Sequence, residues 1–151
     1  MPTPEPSSPV VRRRLQRQVR RDTKPELALR RTLHAMGLRF RVDRAVIPGV
    51  RRRADIVFGP AKVAVFVDGC FWHRCPEHGT LPKANSEWWA DKLQRNVERD
   101  ADTDRRLADL GWLAVHVWEH EASADAATRV AALVDRSRTL RSDARGEDPP
   151  L

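Results

Sequence analysis

Residues 54–68 read Ala54-Asp55-Ile56-Val57-Phe58-Gly59-Pro60-Ala61-Lys62-Val63-Ala64-Val65-Phe66-Val67-Asp68. Two short apolar runs, Ala54–Phe58 and Lys62–Val67, flank a Gly-Pro turn, and Ile47-Pro48-Gly49 supplies another turn upstream. Runs of this length and composition, bounded by turn residues, predict strands. Leu38–Val42, which alternates apolar with basic residues, predicts one more.

Helices are predicted on both sides of these strands. Thr23-Lys24-Pro25-Glu26 has the order of a helix start: Thr23 as N-cap, Pro25 in the first turn, Glu26 closing a capping box. Leu29, Leu33 and Met36 follow at helical spacing, and Gly37 ends the helix. A second helix is predicted from Ser86 to Leu110, with Trp89, Leu93, Val97, Leu107 and Leu110 near one face and Gly111 as its stop. Trp112–Trp118 predicts a strand, with both tryptophans in the core. Ser123–Arg136 predicts a third helix, capped by Ser123, with Val130, Ala131, Leu133 and Val134 as its apolar stripe. The order is that of an α/β sandwich on a mixed sheet.

Composition narrows the class of protein. The 151 residues suit one domain. Two cysteines are too few for a disulfide scaffold, and they are expected to be reduced and to serve as ligands. The longest apolar run, Val63–Val67, falls far short of the roughly 20 residues a membrane helix needs, and no secretory leader is expected. The net charge of +7 is unevenly placed. Residues 1–54 carry 15 basic and 4 acidic side chains, a balance of +11, while residues 55–151 carry 13 and 17, a balance of −4. Lysine occurs only at positions 24, 62, 83 and 92, so the charge is chiefly arginine, whose planar fork matches phosphate. A GC-biased genome would favour arginine everywhere; it would not crowd it into one third of the chain. Nucleic acid is the expected partner. Residues 1–20 are expected to be a disordered basic arm, with Arg12, Arg13 and Arg14 ready to meet a polyanion, residues 21–136 a catalytic domain, and residues 137–151 a disordered tail.

The chemistry-bearing residues cluster around the two strands. Asp55 lies at a strand start and Asp68 ends the next strand, so paired strands can place two oxygen donors near one divalent cation. The competing view is that both are ordinary strand-end turn residues. Residues 69–86, rich in Gly, Cys, His and Pro, form a long loop, and such loops are usually functional. Within it Cys70, Cys75 and His78 have the spacing C-x4-C-x2-H, three donors suited to zinc. The fourth donor could be His120, with His116, His73 and Glu119 as weaker candidates. His73 could equally act as acid or base near the metal of Asp55. Phe71-Trp72 is an apolar pair fit either for a core or for wedging between bases. Of Trp88-Trp89, one ring must lie off the buried stripe.

Taken together, Val67-Asp68-Gly69-Cys70-Phe71-Trp72-His73, Pro82-Lys83, Trp89, Asn96, Arg99-Asp100, Gly111-Trp112 and Val117-Trp118-Glu119 resemble the very short patch repair (DNA mismatch) endonuclease family, in order and over residues 10–136. Arg21-Asp22-Thr23, Glu26 and the Pro48-Gly49 turn fit the same pattern. The resemblance implies a restriction-endonuclease-like (PD-(D/E)xK-type) α/β sandwich, a central mixed sheet flanked by helices with a zinc-stapled loop. It implies magnesium-dependent nicking of one strand at T:G mismatches left by deaminated 5-methylcytosine. By position, Asp55 and the main-chain carbonyl of Val67 would hold magnesium, His73 would be the catalytic histidine and Glu26 the acid beside it, with Asp68 also in the catalytic group. Phe71, Trp72 and Trp89 would insert into DNA beside the mismatch, and Cys70, Cys75, His78 and His120 would hold zinc. Two positions depart from the pattern: Asp68 stands where some members have His, and His120 where Cys is common. A bacterial cytoplasmic, nucleoid-associated monomer working with mismatch-repair helper proteins is expected. Two rivals remain open, a restriction or phage-defence nuclease of the same fold without mismatch preference, and a non-catalytic zinc-containing DNA-binding module.

Overall fold

The computed structural model describes residues 22–70 and 83–146, with side chains through Ser142. In chain order these residues form α1 (Lys24–Ala35), β1 (Arg41–Ala45), β2 (Arg53–Phe58), β3 (Val63–Asp68), α2 (Ser86–Asp109), β4 (Leu113–Trp118) and α3 (Ser123–Gly146). The expected basic arm, and Phe71, Trp72, His73, Cys75 and His78, lie outside the described residues.

The four strands make one mixed sheet in the order β1-β2-β3-β4. β1 and β2 pair antiparallel, as do β2 and β3, with Ile56 opposite Val65 and Phe58 opposite Val63. β4 joins β3 in parallel, Val65 facing Val115, because the intervening α2 carries the chain back to the starting end of the sheet. Alternation along the strands then sorts side chains to two faces. On one face Ile56, Phe58, Val63, Val65, Val115 and Val117 pack with Leu29 and Leu33 of α1 and with Ala126, Ala127, Val130 and Val134 of α3. On the other, Val57 and Ala64 meet Leu107 of α2, with Phe66, Trp112 and Ala114 partly buried beside them. The result is a three-layer α/β/α sandwich, the expected class.

Local chemistry explains the ends of α1. Thr23 Oγ1 accepts the Glu26 N–H at 3.4 Å, and Glu26 Oε2 reaches back to the Asp22 N–H at 2.9 Å, one residue before the cap. Gly37 closes the helix with φ of +85°, a conformation that favours glycine. Three sequence expectations shift. The first strand begins at Arg41, three residues later than read, because Leu38 and Phe40 are drawn into the core as the chain leaves α1, with Phe40 edge-on to Phe58 at 5.6 Å. Met36 and Leu110, placed at helical spacing with the apolar residues of α1 and α2, are the C-caps of those helices and are exposed. The chain past Arg136, expected to be a disordered tail, is helix as far as Gly146. Arg141 ties that extension down, donating to the carbonyls of Ala61 at 3.0 Å and Gly111 at 2.6 Å. Among the described residues no helix is long and apolar enough to cross a membrane.

Candidate active site

Asp55 sits in β2 where it runs beside the end of β3, and its Oδ2 accepts the Val67 N–H at 2.7 Å. The side chain therefore straps the two strands together at the place where both expected metal-holding residues lie. Burial pushes the Asp55 carboxyl up to about 7, and the charges of Glu26 and Asp68 add to the shift against the Val67 N–H and Arg30. Among the described residues no ion pair neutralises it.

Glu26 enters from α1 and is only 3% exposed. Burial raises its pKa, opposed by the Asp22 N–H, by Thr23 and by Arg30. Arg30, one helical turn on, spans two acids: Nη1 lies 2.7 Å from Asp22 and Nη2 lies 3.3 Å from Glu26. Its buried Nε has no hydrogen-bond partner among the described residues.

Asp68 ends β3 and is 7% exposed. Its Oδ2 lies 2.7 Å from His116 Nδ1, and its backbone carbonyl accepts the Glu119 N–H at 2.9 Å. His116, weighed from sequence as a weaker zinc ligand, is instead engaged here. Its Nε2 lies 2.8 Å from each oxygen of Asp104 in α2, and its ring stacks on Phe66 with centroids 5.2 Å apart. Burial lowers the His116 pKa, but the hydrogen bonds and charges of Asp68 and then Asp104 outweigh it and push it up to about 9. Glu119, the other weaker zinc candidate, accepts the Cys70 backbone N–H at 3.1 Å.

These residues fit a divalent cation at Asp55. Glu26 and Asp68 both act electrostatically on Asp55, and of the three acids Asp55 is the one that makes no ion pair among the described residues. A hard cation that takes one or two carboxylates and otherwise water or phosphate oxygens suits that excess of negative charge. No cluster of three or more His, Cys, Asp or Glu able to hold a metal occurs among the described residues.

Two of the four expected zinc donors are brought together. Cys70 is buried, with its Sγ 3.2 Å from His120 Nδ1. Two ligands of a tetrahedral zinc stand roughly 3.6 Å apart, so this pair needs only a small adjustment to share an ion. The parallel register that puts Asp68 beside Trp118 is what delivers Cys70 to His120.

Trp89, expected to insert into DNA, is 9% exposed and meets Trp88 edge-on at 4.9 Å. Trp88 is the more open ring, with Lys92 Nζ 5.8 Å from its centroid. An insertion role for Trp89 thus requires it to leave its present packing. Sequence reasoning missed Arg30 and Asp104 and undervalued His116. The strand period that sets His116 on the face opposite Val115 and Val117 was a usable signal; nothing in the sequence marked Asp104.

The sequence is also similar to those of known proteins. The family model described as DNA mismatch endonuclease Vsr matches residues 8–77. The chain is 46% identical over 149 residues to the type II nicking enzyme V.NaeI of Lentzea aerocolonigenes, covering 96% of this chain and 88% of that protein. It is 43% identical to the type II nicking enzyme V.XorIIP of Xanthomonas oryzae pv. oryzae, covering 77% and 85%. It is 41% identical to the DNA mismatch endonuclease Vsr of Escherichia coli, covering 66% and 62%.

Proposed function

The chain belongs to the DNA mismatch endonuclease Vsr family and is a DNA endonuclease, and on that footing we propose that it nicks one strand at T:G mismatches left by deaminated 5-methylcytosine. The observation that carries the chemistry is Asp55, a largely buried carboxylate strapped to the Val67 N–H, with two further acids acting on it and no ion pair among the described residues. Asp55 and the carbonyl of Val67 would hold magnesium. That ion would supply positive charge to the scissile phosphate and to the departing 3′ oxygen.

The chain's own residues then have separable tasks. Asp55 is kept in place by its strand-to-strand hydrogen bond. Glu26, restrained by Arg30 and the Asp22 N–H, supports His73, which moves the proton. Asp68 completes the acidic set. Phe71, Trp72 and Trp89 would wedge beside the mismatch, where a wobble pair costs less to unstack. Arg12, Arg13 and Arg14 would grip the backbone. Zinc on Cys70, Cys75, His78 and His120 would staple the loop that carries His73, offsetting its conformational entropy. Mismatch-repair helper proteins, a monomeric state and a cytoplasmic, nucleoid-associated setting fit this role.

The test compares T:G with fully paired duplexes of one sequence, with and without magnesium, in the wild type and in Asp55→Ala. Nicking confined to the mismatched duplex, dependent on magnesium and lost in Asp55→Ala with DNA binding retained, is the expected result. V.NaeI and V.XorIIP bear the name type II nicking enzyme, which favours one second reading: a restriction or phage-defence nuclease of the same fold without mismatch preference. Equal nicking of both duplexes would select it.

A further inference from the structure

β4 presents Val115 and Val117 to the core shared with α1 and α3, while His116 points to the α2 side of the sheet. An imidazole so placed is held from two directions. Nδ1 is 2.7 Å from Asp68 Oδ2 and Nε2 is 2.8 Å from both oxygens of Asp104. An ionised carboxylate only accepts hydrogen bonds, and a neutral imidazole has one N–H to give. Both bonds are made only when both ring nitrogens carry hydrogen, so the geometry calls for the imidazolium. The Phe66 ring stacked on the imidazole is uncharged, and Arg129 of α3 donates to the His116 carbonyl at 2.8 Å rather than to the ring.

We propose that His116 and Asp104 are positioning residues for the nicking reaction, a fixed cation and its counter-ion that lock Asp68 beside Asp55. The proposal rests on the reading of Asp55 and Asp68 as members of the phosphodiester site. Three carboxylates gathered at the strand ends repel one another, and such a cluster relaxes by turning one group away or by taking up a proton. Arg30 answers Glu26, and the His116 imidazolium answers Asp68. With Oδ2 of Asp68 bonded to a ring that is itself stacked and anchored on α2, the orientation of the whole carboxylate is set. Asp104 is what makes the cation affordable on that face: it gives the second N–H an ionised acceptor. The device also ties α2 to the ends of β3 and β4, so the position of that helix is felt at Asp68.

The experiment has a spectroscopic arm and a kinetic arm, both on the full chain. At about pH 8 an unperturbed imidazole is neutral. Long-range proton–nitrogen correlation spectra of metal-free protein at that pH are expected to show both His116 nitrogens protonated; one bare nitrogen overturns the proposal. In the kinetic arm, His116→Phe keeps the stack on Phe66 but loses both bonds, and is expected to lower kcat by about tenfold or more while KM for DNA stays within about twofold. Asp104→Asn, on a partly exposed helix position, is expected to fold like the wild type and to lose kcat by a smaller factor. If His116→Phe misfolds, Asp104→Asn and the spectrum decide. Wild-type kcat in both variants, with Asp55→Ala inactive, overturns the positioning role and leaves the nuclease reading standing. Nicking by Asp55→Ala overturns the nuclease reading instead, whatever the state of the ring.

Discussion

Asp55 pays for its position in charge. In the metal-free protein its carboxyl stands near 7 rather than the usual 3.8, raised by burial and then by Glu26 and Asp68. A raised acid favours the fold while it is protonated, so this contribution is fully present below about 4 and is lost as pH climbs through about 7. His116 has the same sign by a different route: its folded value of about 9 exceeds the ordinary 6.5, so its contribution is intact below 6.5 and is lost as pH rises through 9. Urea unfolding of metal-free protein from pH 5 to pH 10 should therefore show stability falling in two phases. Asp55→Asn is expected to remove the first phase and to stabilise the protein at pH 8 by about 2–4 kcal/mol, while abolishing nicking. No gain in stability would mean that Asp55 carries no such burden. The same shift makes magnesium compete with a proton. Apparent magnesium affinity, read from the ion dependence of nicking, is expected to drop about tenfold for each pH unit below 7, and a flat profile would count against Asp55 as the ligand.

At the scale of elements, the long α3 yields a sharp expectation. A disordered tail could be removed at no cost, but Arg141 donates to the carbonyls of Ala61 and Gly111, in the turns before β3 and β4. Truncation after Arg136 is expected to cost about 1–3 kcal/mol, and Arg141→Met a similar amount, measured by urea unfolding. An unchanged midpoint would show the extension to be idle. This element marks where sequence reading stops. Thr23, Glu26 and Gly37 announce α1 because caps are made by neighbours in the chain, and the apolar runs at 54–58 and 62–67 announce β2 and β3 because burial sets their composition. The polar stretch from Ser137 has no apolar stripe, and what holds it is an arginine reaching carbonyls distant in sequence. The site divides in the same way. Asp55, Glu26, Cys70 and His120 were legible from position and resemblance. The Asp104–His116–Asp68 chain was not, since it joins three elements through a register that exists only once β4 has docked beside β3.

For the molecule as a whole, charge separates gripping from cutting. The acids of the site lie in or beside the sheet, while the balance of +11 falls before residue 55. Within the described residues Arg39, Arg41, Arg44 and Arg51 are exposed at or near β1, one of the two edge strands of the described sheet, and Arg53 joins them at the start of β2. Residues 1–20 add Arg12, Arg13, Arg14, Arg17 and Arg20. Phosphate contacts release counterions, so the logarithm of DNA affinity should fall with the logarithm of salt at a slope of about −0.9 per contact. If the arm supplies contacts, deleting residues 1–20 must make that slope shallower by about 0.9 for each one lost. The loss should be the same on T:G and fully paired duplexes, because phosphate contacts carry no sequence information. Turnover at saturating DNA should be retained, since Asp55, Glu26 and the Asp104–His116–Asp68 chain lie outside the deleted segment. Filter binding over a salt series, paired with single-turnover nicking, checks both halves. An unchanged slope would move the grip to the β1 edge, and a lost single-turnover rate would mean that the arm does more than hold the backbone.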